Sequence, residues 1–229
     1  MADEFDQHAS EYADKINKSV NFSGRDHSFF TALKADVLAH QLKPAAGENL
    51  PRLLDVGCGV GSLHPWLRDH VSDIVGVDVS AASLAIARRE NPTSQFVRYD
   101  GHSLPFKDGA FDAVVATCVV HHVPVDQWPA FFAELRRVLR VGGKALIVEH
   151  NPLNPVTRYV VNSCELDKYA VLIRAAHCRS LLAETGFGEV GADYFALLPF
   201  LAPAARAVER WLGAIPLGAQ YVAYGRRAA

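Results

Sequence analysis

The chain has 229 residues, of which 50% are hydrophobic, and a formal net charge of −2. This length and apolar content suffice for one domain with a substantial core, or for one domain with an added lid. The small net charge provides none of the strong positive field that favours nucleic acid or an anionic membrane surface as a partner, so a small-molecule enzyme is the expected class.

The cysteines and the N-terminal residues indicate an intracellular location. Cys58, Cys118, Cys164 and Cys178 lie far apart without a C-x-x-C pair, so the sequence predicts neither a metal site nor a disulfide framework. The start of the chain is acidic and lacks an apolar stretch, which argues against a secretory signal. No uninterrupted apolar run is long enough to span a bilayer. We expect a cytoplasmic protein without a transmembrane segment.

The first part of the chain combines charged residues and scattered aromatics with a helical pattern through residues 33–42. Pro44 and Gly47 interrupt this pattern. We predict an N-terminal helical lid over residues 1–45, followed by the main domain over residues 46–229. A solvated leader helix with a few core anchors remains the alternative.

A glycine-rich stretch follows the first predicted strand. Residues 53–56 are mostly apolar and predict a buried strand, and Gly57, Gly59 and Gly61 come directly after it. Loops at the carboxyl ends of strands form the ligand crevice of an open α/β sheet, and glycine lets the backbone approach a ligand closely. The predicted helix over residues 62–70 would point its amino end at this loop, which suits an anionic group. A tight turn without a ligand is the alternative.

Strands and helices then alternate along the chain. The patterns predict strands over residues 74–78, 95–100, 111–117 and 144–150, and helices over residues 81–89 and 129–140. Ser80 is the predicted N-cap of the first helix, and Gly142 and Gly143 are predicted to end the second. This alternation predicts βαβ units and a largely parallel sheet.

Beyond residue 150 the pattern loosens. Residues 151–155 contain two prolines and predict a turn; a helix over residues 179–185 and strands over residues 189–196 and 220–225 follow. Residues 200–217 are markedly apolar and contain two prolines. They favour a core-packing helical insert, and a hydrophobic substrate wall or a membrane-touching patch is the alternative. We therefore predict an acceptor-site insert at about residues 151–219.

Three aspartates are predicted at the ends of successive strands. Asp55, Asp78 and Asp100 should line one edge of the sheet, where a carboxylate can accept both hydroxyls of a ribose. Ser62 occupies the position of the third glycine of a dinucleotide loop, so the match to a nicotinamide site is imperfect. The Asp55 carboxylate would repel a pyrophosphate and attract an ammonium group. A cationic amino-acid cofactor therefore fits better than a diphosphate.

Taken together, these motifs resemble the class I S-adenosylmethionine (SAM)-dependent methyltransferases, in particular the methyltransferase type 11 branch typified by ubiquinone and menaquinone biosynthesis enzymes. The resemblance covers roughly residues 50–150 and includes the segments 55–61, 77–80, 99–101, 111–117 and 135–143 in order. It implies an α/β fold: a Rossmann-like, seven-stranded mixed sheet with helices on both faces and an antiparallel last strand.

The resemblance also implies the roles of individual residues toward SAM, with S-adenosylhomocysteine as the product. The backbone of the glycine loop would lie under the methionyl part, Asp55 near its amino group, and the end of the fourth strand beside the reactive methyl group. Asp78 would bind the ribose hydroxyls, and Asp100 with the next N–H would hold the adenine. The implied cofactor-binding set is Asp55, Gly57, Cys58, Gly59, Gly61, Asp78, Val79, Asp100, Gly101 and Thr117.

The methyl acceptor is expected to be a small, partly hydrophobic or aromatic molecule, with O- or C-methylation preferred. In-line transfer requires alignment, and a general base where the acceptor carries a proton. The candidate bases are His121, His122, Glu149 and His150, for which structural loop roles are the alternative. Tyr12, Asn21, Arg25 and His27 are candidates for closing over the acceptor.

Other readings of the sequence remain open at this stage. A SAM-binding enzyme of the same fold could catalyse a reaction other than methyl transfer, and a non-catalytic SAM-binding module or a nicotinamide oxidoreductase are further alternatives. The sequence leaves the oligomeric state open, a homodimer included, and we expect no nucleic-acid partner.

Overall fold

The computed structural model describes residue 6 and residues 9–20, 24–198 and 200–229. Within these residues, seven strands form one mixed sheet in the order β3-β2-β1-β4-β5-β7-β6. Neighbouring strands from β3 to β5 are parallel, whereas β7 runs antiparallel to both β5 and β6. This is the predicted mixed sheet with an antiparallel last strand.

The strands follow the predicted order. Their bounds are β1 Arg52–Val56, β2 Asp73–Asp78, β3 Gln95–Arg98, β4 Phe111–Thr117, β5 Leu139–His150, β6 Phe187–Phe195 and β7 Gln220–Arg227.

Helices connect these strands and cover both faces of the sheet. They are α1 Tyr12–Val20, α2 His27–Leu42, α3 His64–Leu67, α4 Ala81–Glu90, α5 Trp128–Val138, α6 Pro155–Ser163, α7 Ala175–Glu184 and α8 Pro203–Trp211. Short 3₁₀ turns lie at Ala9–Glu11, Arg68–His70, Val120–His122, Val125–Gln127 and Glu165–Asp167.

The side chains of the central strands divide between two hydrophobic clusters. Leu54 and Val114 pack with the apolar faces of α5 and α7. Their neighbours Leu53 and Val115 belong to the opposite cluster, which contains residues of α2 and α3. Successive residues of a strand point to opposite faces, so a run that is apolar at every position buries both faces of the sheet.

Two of the predicted elements carry the signals that define their ends. The Ser80 hydroxyl oxygen accepts a hydrogen bond of 3.0 Å from Ser83 N, which makes it the N-cap of α4 as predicted. In α6, the Asn154 side chain accepts hydrogen bonds from Val156 N and Thr157 N, directly after the predicted proline-rich turn.

Two boundaries differ from the sequence-based prediction. Strand β3 ends at Arg98, because Asp100 Oδ1 accepts hydrogen bonds from His102 N and Ser103 N and forms a turn in place of further pairing. Gly142 and Gly143 do not end helix α5, which stops at Val138. They lie inside β5, where the pairing with β4 shifts register.

Two helices also differ in extent. The helix predicted over residues 62–70 consists of one α-helical turn, His64–Leu67, followed by the 3₁₀ turn Arg68–His70. Pro65 lies in the first turn of α3, as expected. Helix α7 begins at Ala175, earlier than predicted, because Ala175, Cys178 and Leu182 continue its buried stripe toward the N-terminus.

The second helix takes part in both the core and the cavity described below. Leu38 and Leu42 of α2 are buried in the cluster on one face of the sheet. Phe29, Phe30 and Leu33, from its first half, line the cavity. The division at residue 45 stays a prediction.

Candidate functional site

A cavity of about 470 Å³ opens at the carboxyl edge of the parallel strands. Its walls come from the loops after β1, β2, β3 and β4, from the N-terminal helices and from the segment after β5. This is the position at which open α/β sheets bind ligands, and the volume is typical of small-molecule sites. The residues from the strand ends are Gly57, Gly59, Asp78, Val79, Tyr99, Asp100, Gly101, Thr117, Cys118 and Val119.

The glycine loop adopts a conformation that only glycine accepts readily. Gly57 has a φ of 73°, and a Cβ there would lie 2.4 Å from Val119 Cγ2. Gly61 has a φ of 74°, and a Cβ there would lie 2.9 Å from Asn91 Nδ2. Positive φ and close approach together explain why these positions need glycine. The loop thereby presents bare backbone at Gly57 and Gly59 to the cavity.

Three residues of the predicted cofactor set lie behind the loop, outside the cavity wall. Asp55 is buried, and its Oδ2 lies 3.4 Å from His64 Nε2. The Cys58 side chain packs against Phe96 in a small hydrophobic cluster, and burial raises the pKa of its thiol well above the usual value. Gly61 likewise packs against Asn91. These residues shape the loop from beneath, and the structure does not bring them to the cavity surface.

Asp78 joins the glycine loop to the second strand. Its Oδ2 accepts a hydrogen bond of 2.8 Å from Gly59 N, and its Oδ1 accepts one of 2.8 Å from Ser80 N. Burial raises the pKa of this carboxyl above its ordinary value, against the lowering effect of the two backbone donors. A carboxylate has about four lone-pair positions, so Asp78 retains capacity for ligand hydroxyls.

Asp100 and Gly101 form the next part of the same wall. Asp100 accepts hydrogen bonds from the backbone N–H groups of Ser103 and His102, and these bonds lower the pKa of its carboxyl. Gly101 adopts a φ of 86°. Val79 and Tyr99 line the cavity beside them, so the predicted ribose and adenine residues lie together on one wall.

Thr117 contributes a hydroxyl group to the site at the end of β4. Its Oγ1 is buried and has no hydrogen-bond partner among the described residues, although Thr117 lines the cavity at the end of β4. A buried polar atom without a partner is costly, so this hydroxyl is a ready donor or acceptor for a bound group. Thr117 and the bare backbone of Gly57 therefore fit the polar methionyl end of SAM.

The far end of the cavity is rich in histidine. His121, His122 and His150 all line the wall, and the His121 ring centroid lies 4.2 Å from that of His122 and 5.3 Å from that of His150. Glu149 is fully buried; its Oε2 lies 2.5 Å from His121 Nδ1, while its Oε1 accepts hydrogen bonds from Val119 N and Val120 N. The structure thus brings the four predicted catalytic candidates together, with Glu149 behind His121.

Asp167 completes this group and was missed by the sequence analysis. Its Oδ1 lies 3.5 Å from His121 Nε2 and 3.5 Å from His122 Nε2. A hydrogen bond of 2.9 Å from Val171 N to His121 O holds the segment after α6 against the loop after β4. No local sequence signal pairs residues 121 and 167, because the contact depends on how the two segments pack.

The charges in this cluster perturb one another. Burial alone would favour a neutral His121, but the Glu149 and Asp167 carboxylates outweigh it and raise the pKa of that ring. Burial would also raise the pKa of Asp167, yet its interaction with the neighbouring His121 ring lowers it to about 2. Burial and the neighbouring His121 charge lower the pKa of His122 to about 4.

Cys118 lies between the two ends of the cavity. It has a φ of 57°, which is rare for a residue with a side chain and often marks a functional site. Gln220 Nε2 lies 3.7 Å from Cys118 Sγ and 3.5 Å from His150 Nδ1. Although burial opposes it, the positive charges of Lys34 and His150 lower the pKa of this thiol to about 7.

The N-terminal segment supplies another part of the wall. Arg25 and His27 line the cavity, and the Arg25 guanidinium lies 4.8 Å from the Phe29 ring centroid. Burial, with a smaller effect of Lys34, lowers the pKa of His27 to about 4. Asn21 and the side chain of Tyr12 lie outside the described residues.

Asp6 is a second residue that the sequence analysis missed. Its Oδ1 accepts hydrogen bonds of 2.6 Å from Ser80 Oγ and 3.0 Å from Ala82 N. Because Ser80 also caps α4, these bonds attach the start of the chain directly beside Asp78. A carboxylate favours exposed N–H groups at a helix N-terminus, but the sequence does not indicate which acid will be used.

Among the helices in the described part of the chain, none is both long enough and apolar enough to cross a membrane.

Comparison with known families gives one domain-level match. Residues 54–147 match the family model described as "Methyltransferase domain". The matched segment runs from β1 into β5 and therefore includes the glycine loop, Asp78, Asp100 and the loop after β4. The match confirms a methyltransferase domain over residues 54–147, as the motifs predicted.

The chain is also similar to curated methyltransferases over the same region. It is 34% identical over 112 residues to phthiotriol/phenolphthiotriol dimycocerosates methyltransferase 1 of Mycobacterium ulcerans, covering 47% of this chain and 41% of that protein. It is 34% identical over 98 residues to demethylmenaquinone methyltransferase of Renibacterium salmoninarum, covering 43% of this chain and 40% of that protein. The chain thus matches less than half the length of each of these relatives.

A solved structure shares the whole fold. The crystal structure of a SAM-dependent methyltransferase from Thermotoga maritima, titled a possible histamine N-methyltransferase, superposes with a TM-score of 0.69 at 19% identity. The superposition covers 97% of both chains. The likeness confirms the predicted Rossmann-like sheet of the methyltransferase fold.

Proposed function

We propose, from the premise that residues 54–147 form a methyltransferase domain, that this protein is a SAM-dependent methyltransferase of a small, partly hydrophobic or aromatic acceptor. The observation that carries the proposal is a single cavity with two chemically different ends. One end combines the glycine loop with Asp78 and Asp100, and the other gathers His121, His122 and His150.

The first end is proposed to hold SAM, which supplies an electrophilic methyl group on its sulfonium when bound. The Gly57 and Gly59 backbone and the Thr117 hydroxyl would receive the methionyl part. Asp78 would accept the ribose hydroxyls, and Asp100, Gly101 and Val79 would surround the adenine. Asp55, Cys58 and Gly61 support the loop from behind, so Asp55 would act on the amino group through its charge without touching it.

The second end is proposed to hold the acceptor. Phe29, Phe30, Val160, Leu197 and Leu198 contribute apolar surface to the wall of the same cavity, which supports a partly hydrophobic or aromatic molecule. The names of the two curated relatives point to acceptors with lipid or quinone character, and this is consistent with such a wall. Arg25, His27 and the predicted Tyr12 would contact the acceptor from the N-terminal side.

The chemistry proposed for this chain is alignment with proton removal. Methyl transfer needs the acceptor, the methyl group and the sulfur in line, and an oxygen or activated carbon acceptor must also lose a proton. We assign that proton to the histidine group of His121, His122 and His150. Glu149 is fully buried behind His121, so it is a positioning residue that holds the ring through Nδ1.

The proposed domain organisation follows from the same cavity. The predicted lid over residues 1–45 contributes Arg25, His27 and Phe29 to the wall, and the predicted insert at about residues 151–219 contributes Val160 and Leu197. Both segments line the same cavity as the histidine group, so both are expected to set acceptor specificity.

Calorimetric titration followed by product analysis tests the proposal. The purified full chain is titrated with S-adenosylhomocysteine and, as a comparison, with NAD. It is then incubated with SAM and a panel of phenols, catechols and hydroquinones bearing alkyl chains, and the masses of the products are measured by mass spectrometry. Binding of S-adenosylhomocysteine and a methylated product are expected. Absence of that binding overturns the cofactor assignment, and binding without any methylated product favours the non-transfer alternative.

A further inference from the structure

Three ligand-type side chains converge on the acceptor wall without forming close hydrogen bonds to one another. His121 Nε2 and His122 Nε2 each lie 3.5 Å from Asp167 Oδ1, and the three ligand atoms lie within 4.8 Å of one another. All three residues line the cavity. At 3.5 Å the nitrogens are beyond good hydrogen-bond distance from the carboxylate.

The partner of the other His121 nitrogen determines what its Nε2 can do. Glu149 Oε2 lies 2.5 Å from Nδ1, and the Glu149 Oε1 atom is itself fixed by Val119 N and Val120 N. When a cation replaces the proton on Nε2, the neutral His121 ring donates Nδ1–H to Glu149 and directs its Nε2 lone pair toward Asp167 Oδ1. Two acceptors then face each other, and His121 Nε2 is buried without a hydrogen-bond partner in the described part of the chain. A cation between them would satisfy both atoms.

The charge balance agrees with a divalent cation. Within the described residues, the ion pairs of Glu149 and Asp167 are formed with His121 and His122. If one imidazole carries an extra proton, the two carboxylates still leave a net negative charge among these buried groups. A divalent cation together with two neutral imidazoles cancels the charges of both carboxylates. Buried charges that are fully compensated cost much less than unpaired ones.

The types of ligand atom also indicate which kind of cation would bind. We propose that His121, His122 and Asp167 bind one divalent first-row transition-metal ion of the Zn²⁺ or Fe²⁺ type at the acceptor end of the cavity. Two imidazoles and one carboxylate suit such ions better than Mg²⁺ or Ca²⁺, which prefer oxygen ligands. Tetrahedral ligands about 2.1 Å from a zinc ion lie about 3.4 Å apart, close to the separations to Asp167. Glu149 takes the place of the carboxylate that orients a metal-binding histidine.

The role of this ion rests on the proposed function. A cation here would bind an acceptor hydroxyl and lower its pKa, leaving His150 as the cavity imidazole that receives the proton. The acceptor oxygen then forms its bond to the methyl carbon while the sulfur–methyl bond breaks, and the sulfonium becomes a neutral thioether. The proposed function then becomes methylation of an acceptor oxygen. An acceptor with a second oxygen next to the first is favoured, because both oxygens could bind the ion.

Zinc titration tests the site independently of methyl transfer. The full chain is treated with a chelator, dialysed and titrated calorimetrically with Zn²⁺, with Mg²⁺ as the comparison ion. We expect equimolar Zn²⁺ binding and weaker Mg²⁺ binding. Asp167→Asn and His122→Ala are each expected to weaken Zn²⁺ binding at least about tenfold, and Glu149→Gln about 10- to 100-fold.

Two matched variants serve as controls. Glu165→Gln removes a carboxylate in the same short turn as Asp167, one that pairs with Lys15, and His70→Ala removes an exposed histidine. Both should keep the Zn²⁺ affinity of the unmodified chain. Circular dichroism and thermal unfolding check that each variant is folded. Unchanged Zn²⁺ affinity in folded His122→Ala or Asp167→Asn would overturn the site, as would absence of equimolar Zn²⁺ binding by the unmodified chain. If the unmodified chain binds Zn²⁺ but not S-adenosylhomocysteine, the result counts against the proposed function alone.

Discussion

The Ser80 hydroxyl donates a hydrogen bond of 2.6 Å to Asp6 Oδ1, which ties the start of the chain to the first turn of α4. Ala82 N donates to the same oxygen at 3.0 Å. Ser80 lies two residues after Asp78, so the N-terminal segment is attached directly beside the proposed ribose site. The proposed lid and the proposed cofactor site are therefore physically connected.

Removal of this attachment should speed the release of cofactor. In Asp6→Ala we expect S-adenosylhomocysteine to dissociate about two- to tenfold faster, because two hydrogen bonds that hold the segment over the cavity are lost. Stopped-flow displacement measures the rate. Asp14→Ala, which removes an exposed acid of α1, is the control. Equal rates for Asp6→Ala and the unmodified chain would show that the attachment does not retain the ligand.

Asp78 is expected to dominate binding of the ribose. Asp78→Ala should weaken S-adenosylhomocysteine binding by about 1–3 kcal/mol, because it removes a buried charged acceptor. It also leaves Gly59 N without its partner in the loop. Isothermal titration measures the dissociation constant, with the exposed Asp69→Ala as a control. A dissociation constant equal to that of the control would contradict the assigned role.

Gly57 is predicted to be the most restrictive glycine of the loop. Gly57→Ala forces an alanine to a φ of 73° and places its Cβ 2.4 Å from Val119 Cγ2, so the free energy of unfolding should fall by about 1–3 kcal/mol. Gly59→Ala has open space at the Cβ and should cost less. Thermal and urea unfolding compare the two. Adding Val119→Ala should recover part of the Gly57→Ala loss, and no recovery would exclude that contact as the cause.

Cys118 should react with alkylating agents at lower pH than the other cysteines. Lys34 and His150 outweigh burial and hold the pKa of its thiol at about 7, so the reactive thiolate accumulates as the pH rises through 7. Burial raises the pKa of Cys164 to about 11 and those of Cys58 and Cys178 well above the usual value. Iodoacetamide labelling between pH 5 and about 9, read by peptide mass spectrometry, measures the profile.

Ligand protection provides the control for this labelling. Cys118 lines the cavity, so S-adenosylhomocysteine should slow its alkylation. A midpoint near that of an ordinary thiol, about pH 8.5, would contradict the proposed electrostatic effect. Cys118→Ser should abolish the labelling that appears near neutral pH.

A buried ion pair holds the loop that follows β6. Arg206 and Glu209 are both buried and paired; Glu209 Oε1 accepts hydrogen bonds from Leu197 N and Leu198 N, while Arg206 Nε donates to Phe200 O at 3.0 Å. Breaking such a pair costs about 3–5 kcal/mol, so Arg206→Met should lower the urea midpoint strongly. The exposed Arg210→Met is the control. A midpoint equal to that of the control would mean that the pair contributes little.

The elements that depend on short stretches of sequence were predictable. Apolar strands bounded by turn residues identified β1, β2 and β4, and Ser80 identified the start of α4. The glycine positions and Asp78 could be placed at the strand ends for the same reason, because parallel strands bring their carboxyl ends to one edge. These signals lie within a few residues of the feature they specify.

The depth of a side chain below the carboxyl edge of the sheet was less predictable than strand position. Asp55 is the fourth residue of β1 and points into a buried contact with His64, whereas Asp78 ends β2 and reaches the cavity. Asp55 pairs with Gly76, two residues before Asp78, so the two acids lie on the same face of the sheet but Asp55 lies deeper, away from the carboxyl edge. The extension of β5 through Gly142 and Gly143 was missed because Leu139 and Lys144, on either side of the glycines, both pair with β4 across a register shift.

The sequence by itself determined the methyltransferase domain over residues 54–147, the order of strands and helices along the chain and the glycine loop at the end of β1, because strand periodicity, capping and glycine spacing are properties of contiguous residues. Only the tertiary structure brought Asp167 to His121 and His122, and Asp6 to Ser80. These contacts join segments that are distant in sequence, and they depend on the packing of whole helices and loops. The histidine end of the cavity, which we propose to hold the acceptor, is built from such contacts and was decided by tertiary packing.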